Sequence, residues 1–274
     1  QSGVRTAFFS DIESFSTIAE ELSASDLVEL LNEFLSEQTE ILINNQGTLD
    51  KYQGDAIIAF FGAPVFTEKH AKQALDTGIN LQKNLLSLKD RWKQQGNKWS
   101  SNVLNMNMRI GINTGEMVTG NMGSTLNMNY TMMGEEVNLA SRLESGAKLY
   151  GIYFHTTYNT LQEAGPDFYE WRYIDRVIFK GFSEWRQTIE IFGYKGEADN
   201  DISKLIELFH KGLEYYYHQD WDNAIKYFKK SEKHETIFHK KDINPSVVFI
   251  KRCYEFIDNP PDKDWDGHYK LDKK

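Results

Sequence analysis

Residues 48–62 are TLDKYQGDAIIAFFG, the stretch that decides the fold. Thr48 to Tyr52 and Ala56 to Phe61 are two short runs rich in β-branched and aromatic residues, joined at Gln53, Gly54 and Asp55. Such runs around a Gly/Asp turn predict a β-hairpin. Upstream, Val4 to Ile12 predicts a strand ending in Asp11, followed by a polar run through Ser16. Between that strand and the hairpin, Leu27, Leu30, Leu31, Phe34, Leu35, Ile41 and Leu42 recur at helical spacing, with Ser23 and Asp26 as a capping pair and Asn44, Asn45 and Gly47 as the stop. Downstream, residues 67–93 return to helical spacing through Ala71, Ala74, Leu75, Ile79, Leu81, Leu85 and Leu88, and Gly96 and Asn97 close the helix. Met106 to Ile112 and Met117 to Thr119 predict two further strands around Thr114 and Gly115, with a glycine-bearing loop at Gly120 and Gly123. The order β-α-β-β-α-β is the split βαβ plan of an α+β, ferredoxin-like sandwich, with helices on one face of an antiparallel sheet.

Glu135 to Lys148 predicts a helix with Val137, Ala140, Leu143 and Ala147 on one face, and Ile152 to His155, Phe168 to Phe179 and Gln187 to Tyr194 predict the remaining strands. A short polar linker from Gly196 to Asp201 follows, and the pattern beyond it is purely helical. Two domains are therefore expected, residues 1–196 and a small all-α extension over 197–274. In the extension Leu208, Gly212, Tyr215, Ala224 and Phe228 fall where a 34-residue helix-turn-helix repeat of the TPR type places its small and large interface residues, although its closing proline is absent at Thr236. One repeat cannot bury its own faces, so it must lean on a helix from Ser246 to Ile257 or on the sandwich. An ordinary helical hairpin is the other reading of the same residues.

The chain has 274 residues, 40% of them hydrophobic and 26% charged, which is the composition of a globular protein with material for a sizeable core. No apolar run approaches the roughly 18 residues that cross a bilayer, and no signal peptide precedes the first strand. The lone Cys253 can form neither an internal disulfide nor a zinc cage, which fits a reducing, cytoplasmic compartment. Gln1 to Gly3 look like an added leader, which leaves room for a membrane or sensor segment upstream in the full-length protein. The net charge of −9 argues against a nucleic-acid surface. Residues 201–274 hold 14 basic and 14 acidic side chains, so the whole imbalance lies in the first 200 residues. An acidic domain that handles a polyanion needs divalent metal to do so.

In a split βαβ sheet the first strand lies beside the hairpin, so the carboxylates of Asp11 and Asp55 can converge on one edge. They would repel each other unless a cation joined them, and a hard divalent ion with oxygen ligands would still have positions free for substrate phosphates. Taken alone, strand-end aspartates are more often turn formers and caps. Asn138 and Arg142, four apart on one helix face, can address one ligand or form a solvated surface.

Three separated blocks change those alternatives: Phe9, Ser10, Asp11, Ile12, Phe15 and Ser16; then Lys51, Tyr52, Gln53, Gly54 and Asp55 with Phe61 and Gly62; then Tyr130, Thr131, Gly134, Val137, Asn138, Ala140, Ser141 and Arg142. In this order they resemble the class III nucleotidyl cyclase catalytic domain over about residues 4–194, and the helical tail resembles an extension found in some bacterial members. The resemblance implies an adenylate cyclase that converts ATP to 3′,5′-cyclic AMP and pyrophosphate. It implies that Asp11, Asp55 and the Ile12 carbonyl hold two divalent ions, Mg²⁺ or Mn²⁺. It further implies that the backbone of Glu13, Ser14, Phe15 and Ser16, beside Gly54 of the hairpin turn, cradles the triphosphate, and that Lys180 meets its outer phosphates. Lys51 and Thr131 match the adenine-reading pair, Asn138 the group that orients the ribose, and Arg142 the group that stabilises charge on the α-phosphate.

In the family the metal residues and the purine residues of one site come from different chains, so a homodimer with two equivalent sites is expected. Guanylate cyclase activity and a non-catalytic nucleotide-binding or interaction module are the competing readings. The carboxylate and cysteine of guanine-reading sites are absent here, and the complete set Asp11, Asp55, Asn138 and Arg142 speaks against decay. Asn127, Asn129 and Glu135 depart from the Arg, Asp and Asp common in similar bacterial domains, which bears on loop geometry more than on chemistry.

Overall fold

A computed structural model describes residues 1–197, 199–235 and 242–271. In chain order the elements are β1 (Ser2–Ile12), α1 (Phe15–Glu21), α2 (Ala24–Asn44), β2 (Thr48–Gln53), β3 (Ala56–Phe61), α3 (His70–Gln94), α4 (Ser101–Leu104), β4 (Met108–Ser124), β5 (Asn127–Met133) and α5 (Glu135–Tyr150). They continue with β6 (Phe154–Thr157), α6 (Tyr158–Ala164), β7 (Tyr169–Ile178), β8 (Arg186–Tyr194), α7 (Asn200–Tyr217), α8 (Trp221–Glu232), α9 (Pro245–Asp258) and β9 (His268–Lys270). The chain divides into two units, Gln1–Glu144 with Asn159–Gly165, and Ser145–Tyr158 with Pro166–Lys274.

The first unit carries the strand order β2-β3-β1-β4, all antiparallel, with β5 paired to the far half of β4. This is the expected α+β, ferredoxin-like arrangement. Alternation along β1 divides its side chains between two faces. Thr6 points to α3, where its hydroxyl lies 2.8 Å from His70 Nδ1. Ala7 instead joins Ile58, Phe60, Met117, Met132, Val137 and Ala140 in a cluster on the other face. The start of α5 thus lies opposite α3, whereas the sequence pattern placed the helices on one face. Ser23 caps α2 as expected, accepting from the Asp26 amide.

Two expectations fail at β4. The two predicted strands around Thr114 and Gly115 are one strand of 17 residues. Thr114 and Gly115 pair in register with Thr6 and Arg5. Gly115 marks a close approach rather than a break, since a Cβ there would meet the Glu136 side chain at 2.5 Å. The glycine-bearing loop is also strand: Gly120 pairs with Thr131 and Gly123 with Met128 across the β4–β5 hairpin. A similar contact docks α5, because a Cβ at Gly111 would lie 2.3 Å from the Ala140 carbonyl.

In the second unit β6 and β7 flank β8 antiparallel, and β9 adds parallel to β7, pairing Val177 with Tyr269. The helices α7, α8 and α9 bury their apolar stripes together with Tyr150, Ile152 and Ile174. Gly212 lets the Phe228 ring close onto α7, since a Cβ there would stand 2.5 Å from it. Such a contact suits a repeat of the TPR type and an ordinary helical hairpin alike, and residues of α9 and β7 join the same apolar cluster. Thr236, where the repeat's closing proline is missing, lies outside the described residues. Buried charge ties the layers together: Arg172 bonds Glu190 at 2.8 Å and both oxygens of Glu235 at 2.9 and 3.0 Å. Arg252 reaches Asp175 at 2.5 Å, and Asp175 also accepts from the Tyr150 hydroxyl at 2.6 Å.

Candidate active site

Strand β1 ends at one rim of the first unit, beside the turn that joins β2 to β3. Gly54 supplies the positive φ of +66° that this turn needs. Asp55 follows it and is 9% exposed. Its Oδ2 accepts the Ile12 amide at 2.8 Å, which locks the turn onto the end of β1. Burial pushes the Asp55 carboxyl up to about 7, and a hydrogen bond with Asp11 and repulsion from it push the same way, while the Ile12 amide pulls it down. Asp11 and Asp55 are therefore brought together as the sequence suggested. Arg109, placed opposite Asp11 by the β1–β4 register, lies 3.6 Å from Asp11, 3.6 Å from Glu13 and 3.1 Å from Glu144. Sequence reasoning missed Arg109, whose only signal is a strand register that no local pattern encodes.

Among the described residues, no group of three or more His, Cys, Asp or Glu side chains could hold a metal ion. The donors at this rim are two carboxylates and the backbone carbonyl of Ile12. All are hard oxygens, and a divalent cation between the two carboxyls would relieve the repulsion that, together with burial, raises Asp55. The donor set fits such an ion.

Beyond Ile12 the chain turns sharply. The Glu13 amide bonds the Asn107 carbonyl at 2.8 Å, and Ser14 takes a left-handed φ of 57° before α1 begins at Phe15. The Ser14 carbonyl accepts from Thr17, so the first amides of the short helix, those of Phe15 and Ser16, lie ahead of any intrahelical partner. These four residues form the segment expected to cradle phosphate.

Lys51 and Thr131 meet around a residue that the motif reading passed over. Thr131 donates its hydroxyl to Asp50 Oδ2 at 2.7 Å, and Lys51 Nζ lies 3.7 Å from the same oxygen. Asn138 and Arg142 occupy one face of α5, with Asn138 exposed and the buried Val137, Ala140 and Leu143 on the other. Lys180 belongs to the second unit and is exposed in the turn after β7.

Residues 2–194 match the family of adenylate and guanylate cyclase catalytic domains, and the chain belongs to it. The match to "Adenylate cyclase, terminal-differentiation specific" of Dictyostelium discoideum is 30% identical over 256 residues, 92% of this chain and 11% of that one. It therefore runs past the catalytic domain into the helical extension. The crystal structure of the adenylyl cyclase CyaB from P. aeruginosa is 34% identical with a TM-score of 0.64, covering 73% of this chain and 98% of that one. The guanylyl cyclase Cya2 is 28% identical with a TM-score of 0.60, covering 73% and 96%. The chain spans between about a tenth and a third of the length of the curated relatives it matches first. No helix among the described residues is long and apolar enough to cross a membrane.

Proposed function

We propose that this chain is an adenylate cyclase that converts ATP to 3′,5′-cyclic AMP and pyrophosphate, with its active sites at a homodimer interface. The observation that carries the reading is the Asp11–Asp55 pair, a buried carboxyl and a partly exposed one brought together at the end of β1. Asp11, Asp55 and the Ile12 carbonyl would hold two divalent ions, Mg²⁺ or Mn²⁺. Bound there, they would lower the pKa of the ribose 3′-hydroxyl and neutralise the triphosphate. The 3′-oxygen forms a bond to the α-phosphorus as the bond to the bridging oxygen breaks, and pyrophosphate carries away the charge.

The chain's own residues do the rest. The amides from Glu13 to Ser16 would hold phosphate oxygens. From the partner subunit's copy of α5, Asn138 orients the ribose. Arg142, whose guanidinium fork stays charged, stabilises the charge that develops on the α-phosphate. Lys51 and Thr131 face the purine. Their clustering around Asp50 supports a purine site built from β2 and β5, and it favours adenine because an ammonium donor suits adenine N1 and opposes the N1–H of guanine.

The test is cyclic-nucleotide production from ATP and from GTP, with Mn²⁺ or Mg²⁺, across protein concentration. Expected are cyclic AMP in large excess over cyclic GMP and a specific activity that rises with concentration as dimers form. Equal use of both nucleotides would overturn the specificity. In addition, mixing Asp55→Ala with Lys51→Ala chains should restore one working site per heterodimer, and no recovery would contradict the shared site.

A further inference from the structure

The register of β2 against β3 slips by one residue: Thr48 and Leu49 pair with Phe60 and Ala59, Lys51 pairs with Ile58, and Asp50 is the extra residue of a bulge. A bulge frees one residue from the ladder and re-aims its side chain. Strict alternation would send Asp50 and Lys51 to opposite faces, yet the Lys51 ammonium lies 3.7 Å from the Asp50 carboxylate. The Asp50 side chain is only 4% exposed. One oxygen accepts the Thr131 hydroxyl at 2.7 Å, and the other is buried with no hydrogen-bond partner among the described residues. A buried carboxylate oxygen without a bond is costly, so the fold tolerates a penalty here to keep this group beside the two purine-facing residues.

Resting on the adenylate cyclase reading above, we infer that Asp50 is the positioning residue that sets the polarity of purine recognition. A threonine hydroxyl has one hydrogen and two lone pairs. With its hydrogen committed to Asp50, Thr131 can only accept from a base. The 6-amino group of adenine is a donor and matches it, whereas the 6-oxo group of guanine is an acceptor and sets lone pair against lone pair. Thr131 without Asp50 could rotate its hydrogen outward and serve either base. Discrimination at position 6 therefore depends on a residue that does not touch the nucleotide.

Two triphosphates of nearly equal shape isolate this effect. N6-methyl-ATP keeps one N–H at position 6, and 6-methoxypurine riboside triphosphate replaces it with an ether oxygen, while both keep N1 as an acceptor. For the wild-type protein kcat/KM should favour the N–H compound by about ten- to a hundredfold, the scale of one mispaired buried polar group. Asp50→Asn, whose amide can donate to Thr131 and free its hydrogen, should narrow that ratio to within about threefold and reduce the ATP-over-GTP preference. A general loss of structure would lower both analogues together and leave their ratio alone.

Thr131→Ala separates the role of Thr131 from that of Asp50. If it leaves the analogue ratio unchanged, Thr131 does not face position 6 and the adenine-reading assignment fails. If it removes the preference while Asp50→Asn keeps it, the inference about Asp50 alone fails. Should Asp50→Asn not fold, equal use of the two analogues by the wild-type protein still overturns the inference.

Discussion

In the second unit Arg172 is held between Glu190 and Glu235, whereas in the first unit Asp55 faces Asp11, a charge of its own sign. Burial pushes both Glu190 and Asp55 up to about 7. The neighbours differ. Arg172 pulls Glu190 back down against burial and Glu235, while Asp55 has the backbone amides of Ile12 and of Asp55 itself to set against burial and Asp11. A raised carboxyl alone therefore does not distinguish a structural ion cluster from a site. What distinguishes them is the direct partner: Arg172 bonds Glu190, whereas Asp55 faces the like-charged Asp11 and it is Asp11 that lies near a cation, 3.6 Å from Arg109.

This contrast can be broken in three ways. The largest expected effect is on catalysis: Asp55→Ala should lower cyclic AMP production by about a thousandfold or more with an unchanged circular dichroism spectrum. Surviving turnover would show that the carboxylate pair is not the metal centre.

Next is stability. Arg172→Met leaves Glu190 and Glu235 buried without their cation and should cost about 3–5 kcal/mol in urea unfolding. Asp55→Asn removes a repelled charge and should leave the metal-free protein as stable as the wild type or more so. A large loss from Asp55→Asn and none from Arg172→Met would reverse the assignment of the two regions.

The smallest effect is the pH dependence. Asp55 titrates at about 7 in the folded chain against 3.8 for an ordinary aspartate, so the folded state favours its protonated form. That contribution is present below the unfolded value and is lost as pH rises toward 7. Without metal, wild-type stability should therefore fall relative to Asp55→Asn between those limits. Mn²⁺ should reverse the trend at the upper end, because it binds the ionised pair. Glu190→Gln removes a second carboxyl raised to about 7, and that difference should not respond to Mn²⁺. Parallel stability curves for wild type and Asp55→Asn would contradict the raised carboxyl.

Much of the fold was legible because it is written in periodicity. The α2 and α3 stripes, the Gly54 turn and the β-branched runs of β1 and β3 each carry a local signal. The polar residues of β5 do not, for Asn127, Asn129 and Thr131 form a strand only because the far half of β4 offers them a partner. The same holds for β9, three residues whose parallel pairing with β7 has no trace in their own sequence. At the site, Asp11, Asp55, Lys51 and Thr131 stood out through spaced motifs. Arg109 and Asp50 did not, since the first depends on strand register and the second on a bulge, both set by tertiary pairing.

The central claim is tested most directly by a crystal grown with Mn²⁺ and a non-reacting ATP analogue, with data collected for anomalous scattering. The expected result is anomalous density between the carboxylates of Asp11 and Asp55 and against the triphosphate. An ordered nucleotide with the two aspartates turned apart and no scatterer between them would contradict it.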